Sequence, residues 1–144
     1  MSDIKIVTPE ETITLLAEGY TYVDVRTEQE FTAGHVPGAV NVPLNHAGAG
    51  GMVANPDFLP VMQATFAKER PLVLGCKMGG RSAKAAAALS QAGFSNLCDM
   101  SAGFEGKRDP FGRLTPGWNG EGRPVETTAT PEQSYTELKK TAGL

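Results

Sequence analysis

The sequence predicts an α/β domain: a central, mainly parallel sheet of about five strands with helices on both faces. Short β-branched and aromatic runs alternate with segments of helical apolar spacing, a pattern typical of parallel strands joined by helices. The run at 71–75 is apolar almost throughout, as in strands that a sheet buries on both faces. A length of 144 residues, with 40% hydrophobic and 20% charged residues, fits one globular domain.

Strands and capped helices alternate through the first part of the chain. Thr8 offers a capping hydroxyl, while Pro9 and Glu11 suit a first helical turn. Glycines then mark helix ends, because glycine readily adopts the left-handed conformation found there. The predicted elements are a strand at 4–7, a helix from Thr8 to Gly19, a strand at 20–25, a helix at 28–33 closed by Gly34, a turn at 36–38 and a strand at 39–42.

The second part repeats this alternation and then changes composition. Glycines in 45–55 predict a mobile loop. The elements that follow are a helix at 56–69, a strand at 71–75, a helix at 82–91 and a strand at 95–100.

From 101 to 126, six glycines interleave with three prolines, which predicts either an ordered loop or a segment covering the active face. We therefore expect one domain over 1–126, with 106–122 as a Gly/Pro-rich covering loop. Residues 127–144 are expected to form a linker and tail, of which 132–142 is either helical or disordered.

Charge and composition argue against several functional classes. The net charge of −3 comes with no basic stripe, so nucleic-acid binding is not expected. The apolar runs are too short to span a bilayer, and the first residues lack a secretory leader, so a cytoplasmic protein without a membrane partner is expected. The two cysteines and two histidines have no zinc-like spacing, so neither a metal nor a cofactor is predicted.

The segment directly after the strand at 71–75 carries the clearest chemical signal. Cys76 stands at the carboxyl end of that strand, the edge at which open α/β sheets bind ligands. Gly79 and Gly80 permit a tight turn whose N–H groups, backed by a helix N-terminus, form an anion cradle. Lys77 and Arg81 add positive charge. These features favour a thiolate, and therefore a nucleophile, at Cys76.

The second cysteine lies in different surroundings. Cys98 is flanked by apolar residues in a predicted strand, without neighbouring glycines or cations. A cysteine of this kind is usually an inert part of the core. We therefore assign the chemistry to Cys76 alone.

Four segments resemble the rhodanese-like single-domain sulfurtransferases, and among them the small plant and bacterial thiosulfate sulfurtransferases. The resemblance covers about residues 4–125, and the order and spacing of its motifs make it specific. It is carried by Asp24-Val25-Arg26-Thr27 with Glu30-Phe31, by Gly34-His35-Val36-Pro37-Gly38-Ala39-Val40-Asn41-Val42-Pro43, by 50–59, and by Cys76-Lys77-Met78-Gly79-Gly80-Arg81-Ser82.

The resemblance implies a ping-pong reaction in a three-layer rhodanese-like fold. Cys76 would take the outer sulfur of thiosulfate as a persulfide and pass it to cyanide or to a thiol such as glutathione or a thioredoxin-like protein. The protein would be a monomer or a weak homodimer. The residues implied in substrate binding are Lys77, Met78, Gly79, Gly80, Arg81, Ser82 and Arg26; Asp24, Glu30 and His35 would support the loop.

Two other functions use similar parts. Cysteine phosphatases and arsenate reductases also pair a cysteine with an anion cradle and an arginine, but the dual-specificity phosphatase loop has five residues between the two. Here four residues separate Cys76 from Arg81, and the smaller ring suits a sulfur atom better than a phosphate. A carrier module that hands sulfur to a protein partner also needs the cysteine, and the sequence does not separate it from a catalyst.

Overall fold

The computed structural model describes residues 4–144, and its elements follow the predicted alternation. Short strands and helices succeed one another up to residue 100, and a hairpin, a 3₁₀ turn and a last helix complete the chain. The elements are β1 (Lys5–Val7), α1 (Pro9–Ala17), β2 (Thr21–Asp24), α2 (Glu28–Ala33), β3 (Val40–Asn41), β4 (Asn45–Gly48), β5 (Gly51–Ala54), α3 (Phe58–Thr65), β6 (Leu72–Gly75), α4 (Gly80–Gln91), β7 (Leu97–Met100), β8 (Lys107–Arg108), β9 (Leu114–Thr115), a 3₁₀ helix (Trp118–Glu121) and α5 (Tyr135–Thr141).

The main sheet has five parallel strands in the order β1-β7-β6-β2-β3, which confirms the predicted fold class. All four residues of the central strand β6 are buried. Side chains alternate between two cores, one on each face: Leu74 belongs to the first and Val73 to the second. Because the strands are parallel, their carboxyl ends share one edge, where Asp24 pairs with Gly75 in register.

Side-chain caps fix the first two helices where the sequence predicts them. The hydroxyl of Thr8 accepts from the Glu11 N–H, and the Glu11 carboxylate accepts from the Thr8 N–H at 2.9 Å. Thr27 and Glu30 make the same reciprocal pair at the start of α2. Such capping boxes satisfy N–H groups that would otherwise lack partners in the first turn.

Two predicted elements differ in the structure. The segment 45–55, expected to be a mobile loop, forms the antiparallel hairpin β4–β5, with Gly48 opposite Gly51. Gly51 has a φ of 117°, a backbone conformation that glycine adopts readily, and it allows the tight turn between β4 and β5. The helix expected over 56–69 spans only 58–65, because Phe66 adopts extended backbone.

The segment after β7 is ordered and folds back over the second core. Strands β8 and β9 form a short antiparallel hairpin, and the 3₁₀ helix buries Trp118 at 3% exposure. The Trp118 indole N–H donates to the Pro124 carbonyl at 2.7 Å. A Cβ on Gly117 would overlap backbone of Gly103 and Gly106, so glycine permits a close approach of chain to chain here.

The C-terminal residues pack onto the same body. Helix α5 lies against α3, and the buried Tyr135 belongs to the first core. The Tyr135 hydroxyl accepts from the Asn55 side-chain amide at 3.0 Å. His35 and Glu126 exchange backbone hydrogen bonds, which ties the start of this segment to the domain. In the described range 4–144, no helix has the length and apolar character needed to cross a bilayer.

Candidate active site

The candidate site forms where β6 ends and α4 begins. Cys76 follows the last residue of β6 and is 1% exposed. Gly79 turns the chain with a φ of 100°, and α4 starts at Gly80. The Gly79 N–H donates to the Cys76 Sγ at 3.0 Å, and the Ser82 hydroxyl oxygen lies 3.6 Å from the same sulfur. A backbone N–H therefore faces the Cys76 sulfur at the N-terminal end of α4, which is the positive end of the helix dipole.

The loop is held from its other side by residues 101–105. The Phe104 N–H donates to the Cys76 carbonyl at 2.7 Å, and the Glu105 N–H donates to the Lys77 carbonyl at 3.0 Å. A Cβ on Gly79 would overlap the Ser101 carbonyl oxygen, and a Cβ on Gly103 would overlap the Lys77 carbonyl. Glycine at 79 and 103 therefore allows the two segments to lie in direct contact.

The charge of Arg81 is paired with that of Glu30. Its guanidinium binds both oxygens of Glu30, at 2.7 and 3.0 Å. Burial by itself would raise the pKa of Glu30, but hydrogen bonds from Arg81 and Thr27 outweigh it and lower this pKa to about 2. Arg81 thus joins α4 to α2 through a bidentate ion pair, and its assignment to donor binding stays a prediction.

Arg26, assigned to substrate binding from the sequence, is buried at 3% exposure. It binds the Asp24 carboxylate, with a shortest distance of 2.6 Å, and donates to the Gly34 carbonyl at 2.7 Å. Its guanidinium also lies 4.4 Å from the centre of the Phe104 ring. These contacts make Asp24 and Arg26 a buried support between the strand edge and the segment that holds the loop.

The exposed side chains of the loop are Lys77 and Met78. The Lys77 ammonium is 3.9 Å from the Glu105 carboxylate, and its side chain is 41% exposed. A pair this long and this exposed is weak, so Lys77 remains available to an incoming anion. Met78 is 60% exposed.

His35 contacts α2 and the C-terminal segment. Its ring stacks on Phe31 with centroids 3.9 Å apart, and Nδ1 is 2.9 Å from the Phe31 carbonyl oxygen. The residue is fully buried and bonds Glu126 through its backbone. These contacts join α2 to the C-terminal segment, and the predicted role of His35 in supporting the loop stays a prediction.

Two residues near the loop were not predicted from the sequence. Asp99 is 2% exposed, and its Oδ1 has no hydrogen-bond partner among the described residues. Burial raises the pKa of Asp99, although a hydrogen bond with Ser82 and the charge of Lys107 oppose that rise. The Tyr22 hydroxyl packs directly against Gly75, the residue before Cys76. An acid within the apolar run at 97–100 was the available sequence signal for Asp99.

Metal-ligating side chains are not clustered in the described part of the chain. No group of three His, Cys, Asp or Glu residues in 4–144 lies close enough to hold a metal ion. Cys76 and Cys98 are both free thiols. Burial raises the pKa of the Cys98 thiol, which disfavours its reactive form.

Comparison with known proteins identifies the family. The model of the Rhodanese-like domain matches residues 8–108, well over half of the chain. The chain belongs to the rhodanese-like domain family. This membership confirms the resemblance that the sequence motifs indicated.

Several relatives of known name are similar to this chain, and they include two named thiosulfate sulfurtransferases. Thiosulfate sulfurtransferase 16, chloroplastic, of Arabidopsis thaliana is 46% identical over 90 residues, 62% of this chain and 75% of that protein. Thiosulfate sulfurtransferase GlpE of Pseudomonas entomophila (strain L48) is 35% identical over 121 residues, 84% of this chain and all of that protein. The chain spans about half the length of other plant relatives, such as Senescence-associated protein DIN1 of Raphanus sativus (40% identity; 62% of this chain, 49% of that protein). These similarities support sulfur transfer as the general chemistry.

A solved structure agrees with the rhodanese fold. The crystal structure of Rv0390 from M. tuberculosis superposes with a TM-score of 0.72 at 26% identity, covering 88% of this chain and all of that one.

Proposed function

We propose that this rhodanese-like protein is a thiosulfate sulfurtransferase that works through a persulfide on Cys76. The observation that carries the proposal is the position of the Cys76 sulfur: at the carboxyl end of the central strand, 3.0 Å from the Gly79 N–H and beside the Ser82 hydroxyl. The Gly79 N–H, a donor fixed by the backbone and directed at the sulfur, stabilises the anion before and after transfer.

In the first half-reaction, the Cys76 thiolate attacks the outer sulfur of thiosulfate. The sulfur–sulfur bond of thiosulfate breaks, sulfite leaves with the bonding electron pair, and a persulfide remains on Cys76. In the second, cyanide or a cellular thiolate such as glutathione or a thioredoxin-like protein attacks the terminal sulfur. The acceptor then carries the sulfur, and Cys76 is again a thiolate.

Intact-mass measurement tests this proposal directly. After incubation with thiosulfate, the protein should gain one sulfur atom, and added cyanide should remove it as thiocyanate. Cys76→Ser should abolish both the gain and the thiocyanate, while Cys98→Ser should retain them. Full activity in Cys76→Ser, or no sulfur gain with thiosulfate, would refute the proposal.

Lys77 is proposed to attract the dianionic donor, because it is the exposed cation of the loop and its pairing with Glu105 is weak. Lys77→Ala should raise the KM for thiosulfate severalfold and affect an uncharged sulfur donor less. Lys84→Ala, an exposed cation on the next helix, is the matched control. Equal losses with both donors would contradict a steering role for Lys77.

A further inference from the structure

The β8–β9 hairpin stands beside the active-site loop in a fixed position. Residues 104 and 105, just before the hairpin, donate backbone hydrogen bonds to the carbonyls of Cys76 and Lys77. An open groove of about 600 Å³ separates the loop from the hairpin, lined by Met78, Glu105, Gly106, Lys107, Arg108 and Leu114. Most of the hairpin lies beyond residue 108, where the match to the family model ends.

Three large apolar side chains are exposed on the groove and the hairpin. Phe111, in the hairpin turn, is 82% exposed, more than any other large hydrophobic residue in the described range. Leu114 is 53% exposed and Met78 is 60% exposed, and both line the groove. Clustered exposed aromatic and methionine side chains are characteristic of protein-binding surfaces.

The same hairpin carries positive charge that the fold leaves uncompensated. Lys107 donates to the Ser101 hydroxyl at 3.2 Å, and Arg108 donates to the Gly112 carbonyl at 2.8 Å. Both partners are neutral, and neither cation has a carboxylate within 4 Å in the part of the chain that the structure describes. With Glu105 in the groove lining and Asp109 paired to Arg113 in the turn, residues 105–115 carry three cations and two carboxylates, a net charge of +1 on a chain whose net charge is −3.

We propose that the groove and the β8–β9 hairpin form the docking surface for a protein that accepts sulfur from Cys76. Charge complementarity selects an acceptor whose cysteine is surrounded by acidic side chains, with an apolar side chain among them to meet Met78, Leu114 and Phe111. A small thiol contacts too little surface to use both the groove and the hairpin turn. Because Cys76 is only 1% exposed, the acceptor cysteine must protrude.

This inference rests on the proposed function, since it concerns the second half-reaction. The docked thiol loses its proton to solvent, and its thiolate attacks the terminal sulfur of the Cys76 persulfide. The bond between that sulfur and Sγ breaks, its electron pair returns to Cys76, and the acceptor becomes the persulfide. The basic surface raises the encounter rate of an acidic acceptor without changing the bonds that form and break.

The test uses two matched probes: a small helical protein with one cysteine ringed by glutamates and leucines, and the same protein with lysines in place of the glutamates. The full-length protein is first loaded with sulfur from thiosulfate, freed of donor, and then mixed with each probe, with glutathione or with cyanide. We expect transfer to the acidic probe to be about tenfold faster at low salt, with the difference shrinking as salt rises.

Charge reversal provides the decisive variant. K107E/R108E should invert the preference between the two probes, while leaving transfer to cyanide unchanged. K5E/K68E makes the same change in net charge at the opposite edge of the sheet: Lys5 is the first residue of β1, and Lys68 precedes β6. This control should not alter the preference for the acidic probe. Phe111→Ser should slow transfer to the acidic probe severalfold but not transfer to glutathione.

The outcomes separate the two proposals. If thiosulfate adds no sulfur to Cys76, the proposed function fails before docking is tested. If the persulfide forms but both probes react equally, or K107E/R108E keeps the original preference, the docking surface is refuted. A loss of cyanide transfer in K107E/R108E would also overturn it, because the change would then act on the loop itself.

Discussion

Substituting Glu30 by glutamine would separate two roles that one side chain combines. Glu30 completes the capping box of α2 with Thr27, and it binds Arg81 at the start of α4. Glutamine can still complete a capping box, so Glu30→Gln removes the charge of the ion pair and keeps the helix cap. The variant therefore measures what the ion pair contributes to the fold around the candidate active site.

The size of the effect follows from the pKa of Glu30, which Arg81 and Thr27 lower from 4.5 to about 2 against the opposing effect of burial. One unit corresponds to about 1.4 kcal/mol, so the full shift would be worth ~3 kcal/mol. The Glu30 side chain is 24% exposed and that of Arg81 16%, so solvent screens part of this interaction. We expect Glu30→Gln to lower the free energy of unfolding by about 1–2 kcal/mol at pH 7.

The pH dependence has a definite sign. Because the folded-state pKa of Glu30 is depressed, its stabilisation is complete above the unfolded-state pKa, near 4.5, and is lost as the pH falls toward 2. Urea denaturation should show the largest difference between the native protein and Glu30→Gln at pH 6–7, shrinking below about pH 5.

Glu11 offers a matched control in the same chain. It completes the equivalent capping box with Thr8 and makes no ion pair among the described residues. Glu11→Gln should therefore change the free energy of unfolding by less than about 0.5 kcal/mol. If Glu11→Gln costs as much as Glu30→Gln, or if the difference for Glu30→Gln persists unchanged at low pH, the ion pair with Arg81 is not the source of the stability.

Two other changes test packing and reactivity near the loop. Gly75→Ala would place a methyl group against the Tyr22 hydroxyl and should lower the free energy of unfolding by about 1–3 kcal/mol in urea denaturation. The control Gly80→Ala should leave this free energy unchanged, because its methyl group meets open space in the first turn of α4. Equal stabilities of the two variants would contradict the packing of Tyr22 against Gly75. Because burial raises the pKa of the Cys98 thiol, iodoacetamide at pH 7 should leave Cys98 largely unlabelled in the folded protein. Rapid labelling of Cys98, followed by peptide mass spectrometry, would contradict its assignment to the core.

The sequence predicted the sheet well because its signals were local. The cap of α2 and the apolar run of β6 can both be recognised within a few residues, and the structure places both elements where they were expected. The hairpin at 45–54 was missed because glycines serve tight turns as readily as mobile loops. What distinguishes the two is the pairing of His46 with Val53 across the hairpin, which local composition does not reveal.

For the candidate site too, the sequence predicted the features that depend on neighbouring residues and missed those that depend on distant ones. The position of Cys76 follows from a strand, two glycines and a helix start, which are adjacent in the chain. The pairing of Arg81 with Glu30 joins residues 51 positions apart, and the contact of Ser82 with Asp99 depends on how α4 lies against β7. Such partners are set by tertiary packing, so the sequence identified the charged residues of the site without revealing which of them are neutralised.

The neutralisation of Arg81 changes how the proposed chemistry must work. With Arg81 bound to Glu30 and Arg26 bound to Asp24, the donor directed at the Cys76 sulfur is the Gly79 N–H. The Ser82 hydroxyl lies beside the sulfur and donates to the Gly79 carbonyl. A fixed cation beside the sulfur would hold a dianionic donor and its sulfite product alike, which slows product release without lowering the barrier. Dipoles fixed by the backbone instead stabilise a single charge on sulfur, which is present both in the thiolate and in the persulfide. The exposed Lys77 can then attract the donor from solvent and release the product to it.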